Sequence, residues 1–399
     1  MWLMTADDSV QSRQIFDRAR RDRSHLFDRE RFQGAMADDG FDAVVALSGM
    51  NVSYTGGVFT KGEETPDAVL TRADGAQILI SAEDYAMCFK ETTWIEDVRP
   101  FRHNDDIDGT FLGLLAEAID DLGLAGSRIG IEGPLRPETV EPLRARAPRA
   151  SWGDARPVFD RVRRVKTPGE IELYRAAMRC TQAAVRRGWA ESRAGDTEKT
   201  VAARIQAAGL ELGADWTSHC QMQSGPHSTV GMAASLENPL REGEVVHVDY
   251  GGIFCGYRTD FARNASVVKP TPAQASIYAR LADIQHHLLD SLQPGMPAAE
   301  VWALNEAAFR RSAGLVHPWA LVGHGIGLEI HEGITLSAES TDVLEPGMLI
   351  NVEPSHFEPG DARYHIEDTV VVTESGVEIL ANAEVTGSSL VSTTLQIIP

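Results

Sequence analysis

Residues 247–264 read HVDYGGIFCGYRTDFARN, and how they are taken decides the fold. The run up to Asp249 alternates apolar and small residues, as a half-buried strand does. Gly251 and Gly252 then permit a bend that bulkier residues would resist. Asp260 stands eleven residues beyond Asp249, enough for a strand, a tight connection and a returning strand. Two further stretches carry the same kinds of side chain. Residues 323–333, GHGIGLEIHEG, hold His324 with His331 seven positions on. The stretch from NVEPSHF (351–357) to YHIEDTVVV (364–372) holds Glu353 and Glu367. MLINVEP reads as a strand that ends where Pro354 removes a donor. YHIEDTVVVT reads as another, rich in β-branched residues, with Glu367 near its start.

Each of these residues has an ordinary explanation when taken singly. An Asp in a Gly-rich turn is commonly a turn residue, and a lone His is commonly packed or solvated. Together, Asp249, Asp260, His324, Glu353 and Glu367 make four negative charges and one imidazole. Four carboxylates on neighbouring strands repel one another unless neutralised, and bound cations are the simplest neutralisation. The set suits two divalent cations sharing bridging carboxylates in a hydrolytic centre.

In this order, with these flanking residues, the constellation resembles the pita-bread metallohydrolases: methionine aminopeptidase, aminopeptidase P, prolidase and creatinase. VDYGGIFCGYRTDFAR, GHGIGLEIHE, VEP and IEDTVVVTESG are similar to that superfamily's four signature segments. With RVKTPGEIELYRAAM at the domain entry, the resemblance covers residues 160–385. It implies that Asp249 binds one metal, that Asp260 and Glu367 bridge both, and that His324 and Glu353 complete the shells. The metals it implies are manganese, cobalt or iron. Glu353 would also take a proton from the attacking water, and His331 would contact the substrate and stabilise the tetrahedral intermediate.

A chain of 399 residues exceeds what one core usually supports, so two domains are expected. The expected division is an N-terminal arm (1–27), an α/β domain (28–160) and an α+β pita-bread catalytic domain (161–399). The net charge of −21 argues against nucleic acid or an anionic membrane as main partner. The four cysteines are scattered with no CxxC pair, which suits free thiols in a reducing compartment. No apolar run approaches the roughly 18 residues of a membrane helix. The opening RQIFDRARRDR is not a signal peptide. A cytoplasmic protein is expected, and the resemblance implies a homodimer whose N-terminal domain overhangs the partner's site.

Along the chain, RERFQGAMADDG reads as a helix stopped by Gly40, FDAVVALS as a buried strand, and AVLTRADGAQILIS as a hairpin turning at ADG. TFLGLLAEAIDDLGL reads as an amphipathic helix, SRIGIEG as a strand and RPETVEPLRARAP as another helix. SWGDARPVFDRVRRVKTPGE looks like the boundary, with Pro168 at a helix start. The helix DTEKTVAARIQAAGLELGA follows, capped by Asp196 or Thr197. Two long helices then separate the first and second ligand segments. The resemblance implies that this helix–helix–strand order is an internal duplication.

The departures from the family pattern lie on the substrate side. Prolidase-like chains follow a Ser-Gly-x-Asn start with a distal histidine. Here, in QSGPHSTVGMAAS, His227 stands at the Asn place and Gly231–Met232 at the histidine's. Ala320 stands where proline-directed members carry a histidine four residues before the metal histidine. His365 stands where aminopeptidase P and prolidase carry Arg, and His356 follows Glu353 where Gly is more usual. Arginine holds a carboxylate bidentately at any working pH, whereas histidine offers one bond and titrates near neutrality. That exchange weakens the case for a free dipeptide but not for the metal chemistry. His227 is the best candidate for a rebuilt pocket, with His356 and His365 beside it, and Trp216 and Trp319 border the site segments.

The first function expected is cleavage of a C–N amide bond, of the Xaa-Pro dipeptidase or aminopeptidase type, in a short peptide. The alternative keeps the fold and changes the substrate to a non-peptide small molecule, as in creatinase, ectoine hydrolase or a dimethylsulfoniopropionate lyase. Creatinase lacks the full ligand set and works without metal. The intact set here argues against that mechanism, and against a binding protein that has lost catalysis.

Overall fold

The computed structural model describes residues 6–59, 66–102, 106–133, 137–231, 233–380 and 392–399. Residues 1–5 of the expected arm, Arg136 at the head of an expected helix, and Met232 lie outside the described residues. By packing the chain divides into two units. One is residues 17–170; the other is residues 171–399 together with the segment up to Phe16. The expected arm is thus a helix (Ala6–Arg21) whose first part belongs with the second unit, where Phe16 packs on Phe254 at 5.1 Å. The division also falls after Glu170 and not at 160, because the helix Arg156–Arg163 packs with the first unit.

The first unit is built on a six-stranded mixed sheet. Its strands are β1 (Ala43–Ala46), β2 (Ala68–Arg72), β3 (Gln77–Ala82), β4 (Asp97–Phe101), β5 (Arg128–Ile131) and β6 (Ser151–Asp154), in the order β4-β3-β2-β1-β5-β6. The hairpin expected at Ala73–Gly75 joins β2 to β3, and Gly40 ends its helix at φ 69°. SWGD, read as boundary, is instead the edge strand β6, paired in parallel with β5. Leu70, Ile80, Phe111, Leu115 and Ile129 are among the buried side chains of this unit's core.

The second unit holds two five-stranded sheets. The first contains β7 (Trp216–Ser224), β8 (Val245–Phe254), β9 (Tyr257–Arg258) and β10 (Ala262–Val267), with β18 (Gln396–Ile398) parallel to β10. The second runs β12-β11-β13-β16-β17, from β11 (Leu321–Gly325), β12 (Thr335–Ser337), β13 (Leu349–Val352), β16 (Asp368–Thr373) and β17 (Gly376–Ile379). A separate hairpin joins β14 (Ser355–Glu358) to β15 (Ala362–His365). Two helices precede each sheet: Pro168–Ala190 with Glu198–Glu211, and Pro272–Ser291 with Ala298–Arg311.

Local chemistry sets the helix starts. Thr167 accepts from the Glu170 N–H while Glu170 accepts from the Thr167 N–H, a reciprocal cap ahead of Pro168. Thr197, not Asp196, caps the next helix through the Thr200 N–H; Asp196 pairs with Arg204 instead. The Pro272–Ser291 helix has the same reciprocal arrangement between Thr271 and Gln274.

The strand expected over residues 364–373 is two strands. β15 pairs with β14, β16 pairs with β13 and β17, and Ile366–Glu367 lie between them. The Glu367 N–H donates to Ala262 O in the other sheet, so the break turns Glu367 toward β10. Buried Arg263 holds that crossing, bonded to Glu367 O at 2.7 Å and paired with Asp368.

Candidate metal centre and substrate cavity

Strand pairing brings the acidic residues together. Asp249 on β8 lies opposite Gln221 on β7 and Ala262 on β10; directly opposed residues share a sheet face. Asp260 sits two residues before Ala262, in the return from β9. From the other sheet comes His324 on β11, opposite Asn351 on β13. Glu353 follows β13 directly, its N–H held by Val322 O at 2.9 Å. Glu367 Oε1 accepts from Asn351 Nδ2 at 2.8 Å. All five line one cavity of about 580 Å³, with His219, Arg258, Trp319, His331 and Arg363 also on its wall.

The centre of the arrangement is His324. Its Nδ1 donates to Gly325 O at 3.1 Å, so Nε2 presents a lone pair. That lone pair faces three carboxylate oxygens: Asp260 Oδ2 at 3.8 Å, Glu353 Oε1 at 3.6 Å and Glu367 Oε1 at 3.9 Å. Acceptor facing acceptor at that spacing is too long for hydrogen bonds and repulsive unaided. It suits ligands disposed around an ion, and a backbone carbonyl on the other ring nitrogen is how ligating histidines are usually held. Burial lowers His324 to about 4, against the opposing effect of Asp260, so the ring stays neutral near pH 7.

The carboxylates show the same strain. Burial, and then the charge of Asp260, push Glu353 and Glu367 well above the ordinary range. Burial, the largest single effect, would raise Asp249 too, but the hydrogen bond and charge of His219, with His365 and His247 adding to them, together hold that carboxyl low. His219 is raised to about 10: burial opposes its charge, but Asp260 and Asp249 overcome it. The residues therefore fit the cations their composition suggested. Two sets of donor atoms, His219/Asp249/Asp260 and Asp260/His324/Glu367, each lie within 4.8 Å of one another and share Asp260. A third set, His247/Asp249/His365, has a resident cation nearby: Arg363 Nη2 donates to His365 Nδ1 at 2.8 Å.

On the substrate side the expectations fare differently. His331 lines the cavity, its ring stacked on His324 at 3.8 Å between centroids. His227, expected at the substrate, is not among the residues that line this cavity. The short 3-10 turn Gly225–Val230 directs its ring to the buried Glu198 carboxylate at 2.9 Å. His356 is likewise engaged elsewhere, with Val316 O and Glu358. Cys255 packs away from the cavity, with Sγ toward Phe16 O. Trp319 forms an aromatic wall; Trp216 does not. His365 is buried behind Glu353, Nε2 lying 3.4 Å from Oε2.

His219, Arg258 and Arg363 on this wall were not anticipated. His219 on β7 places Nε2 2.9 Å from Asp249 Oδ1 and 3.1 Å from Asp260 Oδ1. Arg363 is only 2 % exposed, with its guanidinium 4.7 Å from the Trp319 ring and 5.7 Å from that of Phe357. Its Nε and Nη1 have no hydrogen-bond partner among the described residues. Arg363 and His365 are two apart on β15 and share a strand face. The cation missing from position 365 is therefore present from position 363.

A fold of two sheets meeting over buried acids and a neutral imidazole defines a metallohydrolase centre. The sequence pattern of Metallopeptidase family M24 matches residues 172–374, and that of the Creatinase/Prolidase N-terminal domain matches residues 29–165. The chain belongs to metallopeptidase family M24. It is 27 % identical over 350 residues to an Xaa-Pro dipeptidase of Pyrococcus furiosus, covering 88 % of this chain and 96 % of that one. Among solved structures it is similar to dipeptidase PepE from Mycobacterium ulcerans, with TM-score 0.76 and 26 % identity over 99 % of this chain and 100 % of that one. X-Pro aminopeptidase from Thermotoga maritima has the same fold, with TM-score 0.80 at 22 % identity over 92 % and 100 % of the two chains.

Proposed function

We propose that this chain is a dinuclear Xaa-Pro dipeptidase acting on short peptides with a free C-terminus. The observation that carries the metal chemistry is the His324 Nε2 lone pair facing three carboxylates from both sheets. Asp249, Asp260, His324, Glu353 and Glu367 would hold the two ions, Asp260 and Glu367 serving both. Bound there, the ions would polarise the scissile carbonyl and lower the pKa of a water into the neutral range.

The chain's own residues do the rest. Glu353 accepts the proton of the attacking water and passes it to the leaving nitrogen. His365, whose Nδ1 is engaged by Arg363, turns its Nε2 side toward Glu353 and orients that carboxylate. His331, held flat against His324, supports the developing oxyanion. Arg363, with N–H groups unspent among the described residues, holds the substrate's free carboxylate against the Trp319 wall. A guanidinium in the cavity favours a dipeptide with a free acid end over an uncharged substrate, as does the similarity to Xaa-Pro dipeptidases.

Manganese, cobalt or iron as the ion, a homodimer and a cytoplasmic setting are the finer parts of this reading, carried by the resemblance. The four cysteines are free, which suits a reducing compartment. No helix among the described residues is long and apolar enough to cross a membrane. Metal analysis with a dipeptide panel tests the proposal. Two ions per chain and cleavage of Xaa-Pro dipeptides support it; bound metal without cleavage points to a non-peptide substrate. A chain that takes up no metal and turns nothing over would refute it.

A further inference from the structure

We propose that His219 is a sixth metal ligand, so that each of the two ion positions carries one imidazole. The inference rests on the dinuclear reading above and adds to it a residue and a metal preference. Three features converge on this ring. The register of β7 against β8 shifts by one residue between Thr217 and His219. Before the shift Thr217 opposes Gly252; after it His219 opposes Gly251 and Gln221 opposes Asp249. Had the first register continued, His219 would oppose Tyr250 and turn to the other face of the sheet. The bulge at Ser218 is what aims His219 at the acids.

Opposite the ring, Gly251 has no side chain. A Cβ there would lie 2.5 Å from His219 Cε1 and would collide with Thr259 O. The bare backbone lets the imidazole lie across β8 and reach Asp260 on the far side. Finally, the two oxygens of Asp260 face different rings: Oδ1 is 3.1 Å from His219 Nε2, and Oδ2 is 3.8 Å from His324 Nε2. Two donors each about 2.1 Å from one ion and 90–110° apart sit roughly 3.0–3.5 Å from each other. The His219 distances of 2.9 and 3.1 Å are close to that range. Asp260 thus shares its two oxygens between two imidazole-bearing positions.

An oxygen-rich site favours manganese, whereas imidazole shifts the balance toward iron, cobalt and zinc. With His219 as ligand, this centre prefers cobalt or zinc over manganese more strongly than one imidazole alone would allow. The competing explanation is that His219 is a proton-carrying neutraliser, which an ion would have to displace. The two predict opposite changes when the ring is removed.

The test is a titration of the full-length chain with cobalt(II), then manganese(II), for wild type, His219→Ala and His219→Gln. The readouts are calorimetry, the cobalt visible spectrum and X-ray absorption; activity is not needed. Wild type is expected to take two cobalt ions, with an average of one imidazole per ion. The variants should bind one ion at least about 10- to 100-fold more weakly, since even an outer-shell partner is worth that much. They should also show altered cobalt absorption and a smaller preference for cobalt over manganese. Unchanged or tighter binding of both ions in a variant with wild-type circular dichroism overturns the inference, as does half an imidazole per ion in wild type. His219→Gln serves where His219→Ala fails to fold. Wild type that takes up no ion refutes the dinuclear reading itself, a separate and recognisable outcome.

Discussion

On the floor of the cavity, five candidate ligands from five places in the chain converge; along its wall, side chains sit where sequence position does not suggest. Asp249 and His324 lie on strands and Glu353 directly follows one, so register fixes which face they show; Asp260 and Glu367 lie in short connections between strands. The wall depends on a bulge that turns His219 into the cavity and on an arginine two residues before His365. A metal centre tolerates little displacement because ion–ligand distances are short and fixed. A substrate wall needs only a cation and an aromatic surface within reach, and several backbone positions can supply them.

Four substitutions sharpen that contrast. Asp260→Ala removes a residue proposed to serve both ion positions and should cost at least about 10³-fold in kcat/KM, within the range for losing an essential group. Metal analysis should show both ions lost; one retained ion would mean that Asp260 is not shared. On the wall, Arg363→Met keeps the stacking against Trp319 and removes the charge. KM for free Xaa-Pro dipeptides should rise about 10- to 100-fold, the worth of a charge-assisted hydrogen bond. The corresponding dipeptide amide should be nearly unaffected in steady-state kinetics. Equal losses on both would mean that Arg363 acts only through His365.

His227→Ala tests the other half of the comparison. It should lower stability by about 1–3 kcal/mol, because buried Glu198 loses a partner, while kcat/KM stays within about twofold. A large kinetic effect with unchanged stability would return His227 to the substrate. The smallest effect is expected outside the cavity, at the half-exposed Arg175–Glu378 pair. Hydrogen bonding from Arg175 lowers the Glu378 carboxyl below its ordinary value. A lowered folded value contributes stability above the unfolded value of about 4.3 and loses it as pH falls through the folded one. Glu378→Gln should therefore cost at most about 0.5 kcal/mol at pH 7 and nothing near pH 2 in denaturant melts.

How much of this was legible in the residues follows the same division. The strands around Asp249 and Glu353 were readable because alternation and terminating Gly or Pro residues mark them. The break at Ile366–Glu367 was not, since neither Gly nor Pro interrupts the run YHIEDTVVV. Arg363 was within reach: a residue two before His365 on a strand shares its face. His219 was not, because alternation assigns it to a face only once the bulge at Ser218 is known, and nothing in TSHCQMQ marks the extra residue. His227 stands where prolidase-like chains carry Asn, but the turn beneath it directs the ring to Glu198.

The most direct test of the central claim is to count and place ions in the chain itself. Cobalt-loaded crystals measured at the metal edge should show two anomalous peaks, both within coordination distance of Asp260, one of them also beside His324 Nε2. A single peak, or peaks away from the Asp260–His324–Glu367 cluster, would contradict a shared dinuclear centre.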